Sequence, residues 1–286
     1  MILYFLVYSS WILFRWTGEV NRTLISDVGY QILSIFTVGS MVFAAFRSNI
    51  QGRERLVWLI LALGVGFLSV GDLYFMYADL ILVEVSFPSI ADVFYLLFYP
   101  LALVGILAIP TKVRAAEDRT LALIDFGTVL VGAGTLTWYF FVAPLVGDGS
   151  DRLSQFVSVA YPISDVLLLA AIGLLLYRQP EGNMRSVLRY LGVGLTVYWI
   201  SDLIYTELSL LGTYESGHWV DIGWSFGYLM MGLAALRFTR ETRGVNSGRA
   251  LSDAPRWVIN ALPFLALLLN VGVSLLAALS QAGPRR

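Results

Sequence analysis

No cysteine occurs in the 286 residues, and lysine and histidine occur once each, as Lys112 and His218. The first absence excludes disulfides, thiolate metal sites and iron–sulfur clusters. A lone histidine cannot supply a bis-histidine haem, and a zinc site would lack its usual ligand clusters. Lys112 falls in a loop, which excludes a Schiff base inside a helical bundle. Charge is scarce as well: 14% of residues are charged, against about a quarter in soluble domains. The net charge of −1 creates no bulk field to recruit nucleic acid. No nucleotide-binding loop, HExxH or GxSxG motif is present, so the chain carries no catalytic motif and implies neither cofactor nor metal. Met1–Trp16 lacks a basic leader and a small-residue cleavage site, and reads as a first membrane span.

What the chain has in abundance is apolar sequence: 58% hydrophobic residues and a mean hydropathy of +0.74. Runs such as Leu56–Tyr77 are continuous rather than alternating, which favours spanning helices over a barrel. Nine spans are expected, at approximately 2–18, 25–46, 56–78, 90–109, 120–145, 154–177, 187–211, 219–237 and 257–280. Fourteen of the nineteen basic residues fall in the loops after spans two, four, six and eight. That asymmetry predicts a cytoplasmic N-terminus in the plasma membrane, with residues 78–89, residues 212–218 and the C-terminus outside.

The spans repeat. Ser10-Trp11-Ile12-Leu13-Phe14 matches Thr137-Trp138-Tyr139-Phe140-Phe141, and Tyr30-Gln31-Ile32-Leu33-Ser34 matches Tyr161-Pro162-Ile163-Ser164-Asp165. Gly64 and Gly71-Asp72-Leu73 match Gly194 and Ser201-Asp202-Leu203, and Asp92 matches Asp221. The offsets stay between 127 and 131 residues. The predicted fold is therefore an all-α polytopic bundle of about nine helices: two parallel four-helix repeats plus a terminal helix. Residues 1–145 hold the first repeat and the start of the second, 146–238 the rest of it, 239–256 a cytoplasmic loop and 257–286 the last helix.

The most informative stretch runs from Phe87 to Pro100. Ser89 with Asp92 has capping-box spacing, and Asp92, Tyr95 and Tyr99 share one helix face. The second copy offers Asp221, Trp224 and Tyr228, with His218 where the first has Ser89. A histidine so placed is more often a cap or surface group than a ligand. Asp72 and Asp202 lie about sixteen residues into outward-going spans, hence in the outer half. Asp165 lies near mid-membrane, one turn beyond Pro162, where a charge is costly and usually faces a bundle interior or water. The candidate ligand-binding set is thus Asp72, Asp92, Tyr95, Tyr99, Asp165, Asp202, Asp221, Trp224 and Tyr228. Helix capping is an equal alternative for Asp92 and Asp221, because the helix dipole favours acids there.

Pro88-Ser89-Ile90-Ala91-Asp92-Val93-Phe94-Tyr95-Leu96 with Tyr99-Pro100, Gly71-Asp72-Leu73 and Tyr161-Pro162-Ile163-Ser164-Asp165 resemble a known family. It is the N-terminal multi-spanning sensory region of bacterial signalling proteins, followed there by GGDEF/EAL-type cyclase or phosphodiesterase domains or by a histidine kinase. The resemblance covers roughly residues 25–280 and implies an inner-membrane receptor module that relays a helix shift to a cytoplasmic output. It also implies a homodimer formed through that output. The expected partners are the lipid bilayer and a small ligand, lipid or ion. No output segment follows within this chain, so the expectation is a sensor module separated from its output. A small-solute transporter and a structural subunit of a membrane complex are the alternatives, since a parallel duplication with a polar interior suits the former.

Overall fold

The computed structural model describes residues 1–18, 21–47, 52–82, 87–109, scattered positions between 127 and 143, 151–177 and 184–241. The expected span at 257–280 and most of that at 120–145 lie outside the described residues. Among the described residues, seven helices have defined bounds: α1 (Ile2–Phe14), α2 (Arg22–Ala45), α3 (Arg53–Tyr77), α4 (Ile90–Leu107), α5 (Arg152–Tyr177), α6 (Met184–Leu210) and α7 (Asp221–Glu241). A π-helical segment, Ala78–Leu82, extends α3. Among the described residues there is no strand.

Among the described residues, five helical stretches are long and apolar enough to cross a membrane: Arg22–Ala45, Arg53–Leu82, Ile90–Leu107, Arg152–Gly173 and Met184–Ser209. Two expected spans need correction. The first ends at Phe14 rather than residue 18, because Arg15 turns into the left-handed region at φ 45° and closes the helix. The resulting 13 residues reach only about 20 Å, short of the hydrocarbon core. The eighth is displaced to 221–241 and carries Asp221 at one end and Arg237, Arg240 and Glu241 at the other.

Helices α2 to α7 form a ring, each packed against its neighbours in chain order, and α7 returns to α2. α1 lies outside the ring against α2 and α7. Small residues permit the closest crossings. Gly64 of α3 faces Phe98 and Leu101 of α4, and Gly194 of α6 faces Gly227 and Met230 of α7.

The ring has two unlike ends. One is aliphatic and aromatic: Met41, Val57, Leu61, Ile106, Leu175 and Leu188 are buried there, and Trp58 packs on Phe238 at 5.3 Å. At its rim Arg53 donates to the Ala108 carbonyl at 2.7 Å, covering a free C-terminal carbonyl of α4. The opposite end gathers the buried acids.

Candidate functional site

The start of α4 follows its sequence signal. Ser89 is extended at φ −118° and its backbone N–H donates to the Asp92 carboxylate at 2.7 Å. The other Asp92 oxygen accepts from the Tyr161 hydroxyl of α5, also at 2.7 Å. One side chain therefore starts its own helix and ties it to the next.

α7 begins differently from the expectation. The helix opens at Asp221 itself, preceded by turns in which the Asp221 N–H reaches the His218 carbonyl at 3.0 Å. Asp221 is filled by three donors from two segments: the Gly217 N–H at 2.8 Å, the Tyr214 hydroxyl at 3.1 Å and the Ser26 hydroxyl of α2 at 3.2 Å. Gly217 takes φ +86°, which a side chain would strain, and that turn aims its N–H at the acid.

Asp72 is buried with both carboxylate oxygens occupied. Tyr95 of α4 donates to one oxygen at 3.1 Å and Tyr228 of α7 to the other at 2.6 Å. Tyr228 is wholly buried and meets Tyr30 and Tyr198 edge-on, at 5.3 and 6.2 Å between ring centroids. Across the ring, Asp202 of α6 accepts the Trp224 indole N–H at 2.6 Å. Asp165 of α5 is buried beside the Tyr99 hydroxyl and interacts electrostatically with Asp202. All nine candidate side chains thus belong to one polar half of the ring, in contacts that link one helix to another. Glu207, one turn beyond Asp202, is exposed and stands apart from this group.

Several members were missed by sequence reasoning. Tyr30, Tyr198 and Tyr205 stand outside the candidate set. Ser26, Asp79, Tyr214 and Ser216 form a second polar layer at the rim, where Ser216 donates to Asp79 at 2.7 Å. Arg22 of α2 pairs with Glu215 at 2.7 Å and ties the turn before α7 to the start of the adjoining α2. Mid-ring, Gln31 donates to the Ser69 hydroxyl at 2.8 Å and Ser34 lies 2.9 Å from the same oxygen. The Tyr30-Gln31…Ser34 pattern carried a signal for these groups, but only as a repeat anchor.

His218 sits in the rim turn, its Nδ1 accepting the Val220 N–H at 3.4 Å and its ring 5.4 Å from Trp219. Partial burial, then Arg22 and Arg15, hold its pKa below the usual 6.5. Being the only imidazole, it gives an unambiguous NMR titration, which should have its midpoint below 6.5. The unfolded chain takes up that proton more readily, so acidification through the unfolded pKa costs stability. The cost is small because water still reaches and screens this half-buried ring. Replacing Arg22 with Gln should raise the midpoint; an unmoved titration would remove Arg22 from its surroundings.

Chemically, the arrangement offers carboxyl groups lined by phenol and indole donors, with aromatic rings between them. Among the described residues no three His, Cys, Asp or Glu side chains are grouped to hold a metal ion. Compared with protein-family models, curated proteins and solved structures, the chain matches none.

Proposed function

We propose that the chain is an integral membrane sensory module that binds a small ligand among these acids and aromatics and relays a helix shift to a cytoplasmic output. The observation that carries the reading is the clamp on Asp72. Its donors come from α4 and α7 while it stands on α3, so any group that competed for the carboxyl would change how three helices sit together. Helix rearrangement of this kind is a common output of membrane receptors and needs only differential binding to two packings.

The duplication is part of the proposal, and the helix contacts support it. Gly64 against Phe98 and Leu101 has its counterpart in Gly194 against Gly227 and Met230, at offsets of 130 and 129 residues. Asp72 with Tyr95 corresponds in the same way to Asp202 with Trp224. Ring closure by α7 on α2 and by α4 on α5 is what a twofold relation between α2–α4 and α5–α7 requires. The resemblance to bacterial sensory regions adds an inner-membrane location, a cytoplasmic N-terminus and a dimeric output.

Orientation is tested by single cysteines in this cysteine-free chain. An impermeant thiol reagent applied outside should label position 84 and not position 181. The reverse pattern in intact cells would overturn the topology.

The signalling role is tested with the chain joined to a measurable output. Asp165→Asn should leave insertion and folding intact and abolish the response. An unchanged response at equal expression would remove Asp165 from the site. Loss of folded protein would assign it to packing.

A further inference from the structure

The two sides of the acid network differ in one respect that bears on the ligand. Both oxygens of Asp72 are taken by tyrosine hydroxyls. Asp202 is half-buried, and the hydrogen bond it accepts from Trp224 occupies only Oδ1. Tyr99, which stands at the offset of Tyr228, lies beside Asp165 as well. Asp165 stands where the first half has Ser34, so this side of the ring buries a second acid where the other side has a hydroxyl. The ion pair that the structure describes, Arg22–Glu215, lies elsewhere, at the rim.

A second observation comes from Trp199. It is one turn before Asp202 on the same face of α6, is 5% exposed, and buries an indole N–H without a partner. Trp199 and Asp165 stand at the offsets of Ser69 and Ser34, whose hydroxyls are 2.9 Å apart. Ile172 of α5 packs against Gly192 of α6, and seven residues along each of these two adjoining helices places Trp199 at the level of Asp165. A buried donor left without a partner costs about 1–3 kcal/mol.

Above Asp202, Tyr205 meets Tyr214 at 4.8 Å and Trp224 at 5.4 Å, both edge to face. These rings form a column from the rim turn down to the acid. Adjacent carboxyls in a low-dielectric interior favour a cation, and aromatic walls favour one with an apolar body over a hydrated metal ion. The unpartnered indole N–H calls for an acceptor oxygen on the same molecule.

We infer that Asp165, Asp202 and Trp199, beneath the Tyr205–Tyr214–Trp224 column, form the ligand site and take a small hydroxylated ammonium. This rests on the sensory reading and supplies its ligand class. The ammonium sits between the two carboxyls, and the hydroxyl oxygen accepts from Trp199. A free amino alcohol supplies the accepting oxygen as a hydroxyl, and a lipid headgroup supplies it as a phosphate ester.

The test uses the full chain in phosphatidylglycerol nanodiscs, which contain no ammonium headgroup, with choline as the probe and tryptophan fluorescence as the readout. Choline should give a saturable change with half-saturation below about 10 mM, and its neutral carbon isostere 3,3-dimethylbutan-1-ol should be weaker by about tenfold or more. Asp202→Asn and Asp165→Ser should each weaken choline by about tenfold or more, while Glu215→Gln, an exposed rim acid, should stay within about twofold. Asp165→Ser installs the residue of the first half, so it decides the matter even where Asp202→Asn does not fold. In phosphatidylcholine nanodiscs, a headgroup occupant removes the response to free choline and a free ligand leaves it. No choline response, an equal response to the isostere, or an unchanged Asp165→Ser would overturn the inference. Failure of the two proposals is separable. Choline binding without any effect on a fused output rejects the sensory reading alone. An output that still depends on Asp165 without choline binding rejects only the ammonium.

Discussion

Replacing Tyr228 with phenylalanine should destabilise the folded bundle by about 1.5–2 kcal/mol, more than any other single hydroxyl deletion in the network. Hydrogen bonds between membrane helices contribute about 0.6 kcal/mol on average and about 1.7 at most, because the unfolded chain in the membrane also finds partners. Two features put this one at the upper end. Its acceptor is a carboxyl, and it is short, 2.6 Å, at a side chain with no exposure. Phenylalanine keeps the edge-on contacts with Tyr30 and Tyr198, so the loss reports the hydroxyl rather than a cavity. What remains is an Asp72 oxygen buried among rings with no donor. Tyr95→Phe removes the longer bond of 3.1 Å and should cost less. The measurement is equilibrium unfolding of the purified chain, with a double-mutant cycle against Asp72→Asn. A coupling near zero would show that Tyr228 and Asp72 do not hold each other in the folded state.

The sequence made local devices legible, and the outcomes show why. Ser89 and Asp92 announce the start of α4 because a capping box is complete within four residues. The Asp92–Tyr95–Tyr99 and Asp221–Trp224–Tyr228 faces followed from helical spacing alone. The partners did not. That Tyr228 reaches Asp72, 156 residues away, and Tyr161 reaches Asp92, 69 residues away, depends on the order of helices around the ring. Periodicity within one helix carries no information about that order. Tyr30, Tyr198 and Tyr205 were passed over for a related reason: a tyrosine in an apolar helix reads the same whether its hydroxyl faces lipid headgroups or a buried acid. Hydropathy also failed at both ends of the described bundle. It extended α1 through Arg15, whose left-handed backbone stops the helix, and it began α7 two residues early, inside the turns that supply Asp221 with its donors.

The close approach of α6 to α7 at Gly194 and Gly227 carries the second large effect. Gly194→Ala should destabilise the chain by about 1–3 kcal/mol even though alanine is the better helix former by about 0.5–1 kcal/mol. A methyl at position 194 would lie 2.7 Å from Cβ of Met230 and 3.2 Å from the Gly227 carbonyl oxygen. Neither atom is the end of a flexible side chain, so rotation cannot relieve the contact and α6 must move away from α7. Gly66→Ala on α3 is the control. Nothing lies within 4 Å of its added methyl, so the same substitution should be neutral or stabilise. Separation at Gly194 acts two turns below Asp202 and should lengthen the 2.6 Å bond from Trp224, so Trp224 fluorescence should shift in Gly194→Ala and stay unchanged in Gly66→Ala. Equal stability of the two variants would mean that α6 and α7 do not approach as closely as Gly194 and Gly227 permit, and the geometry that sets Trp224 on Asp202 would lose its support.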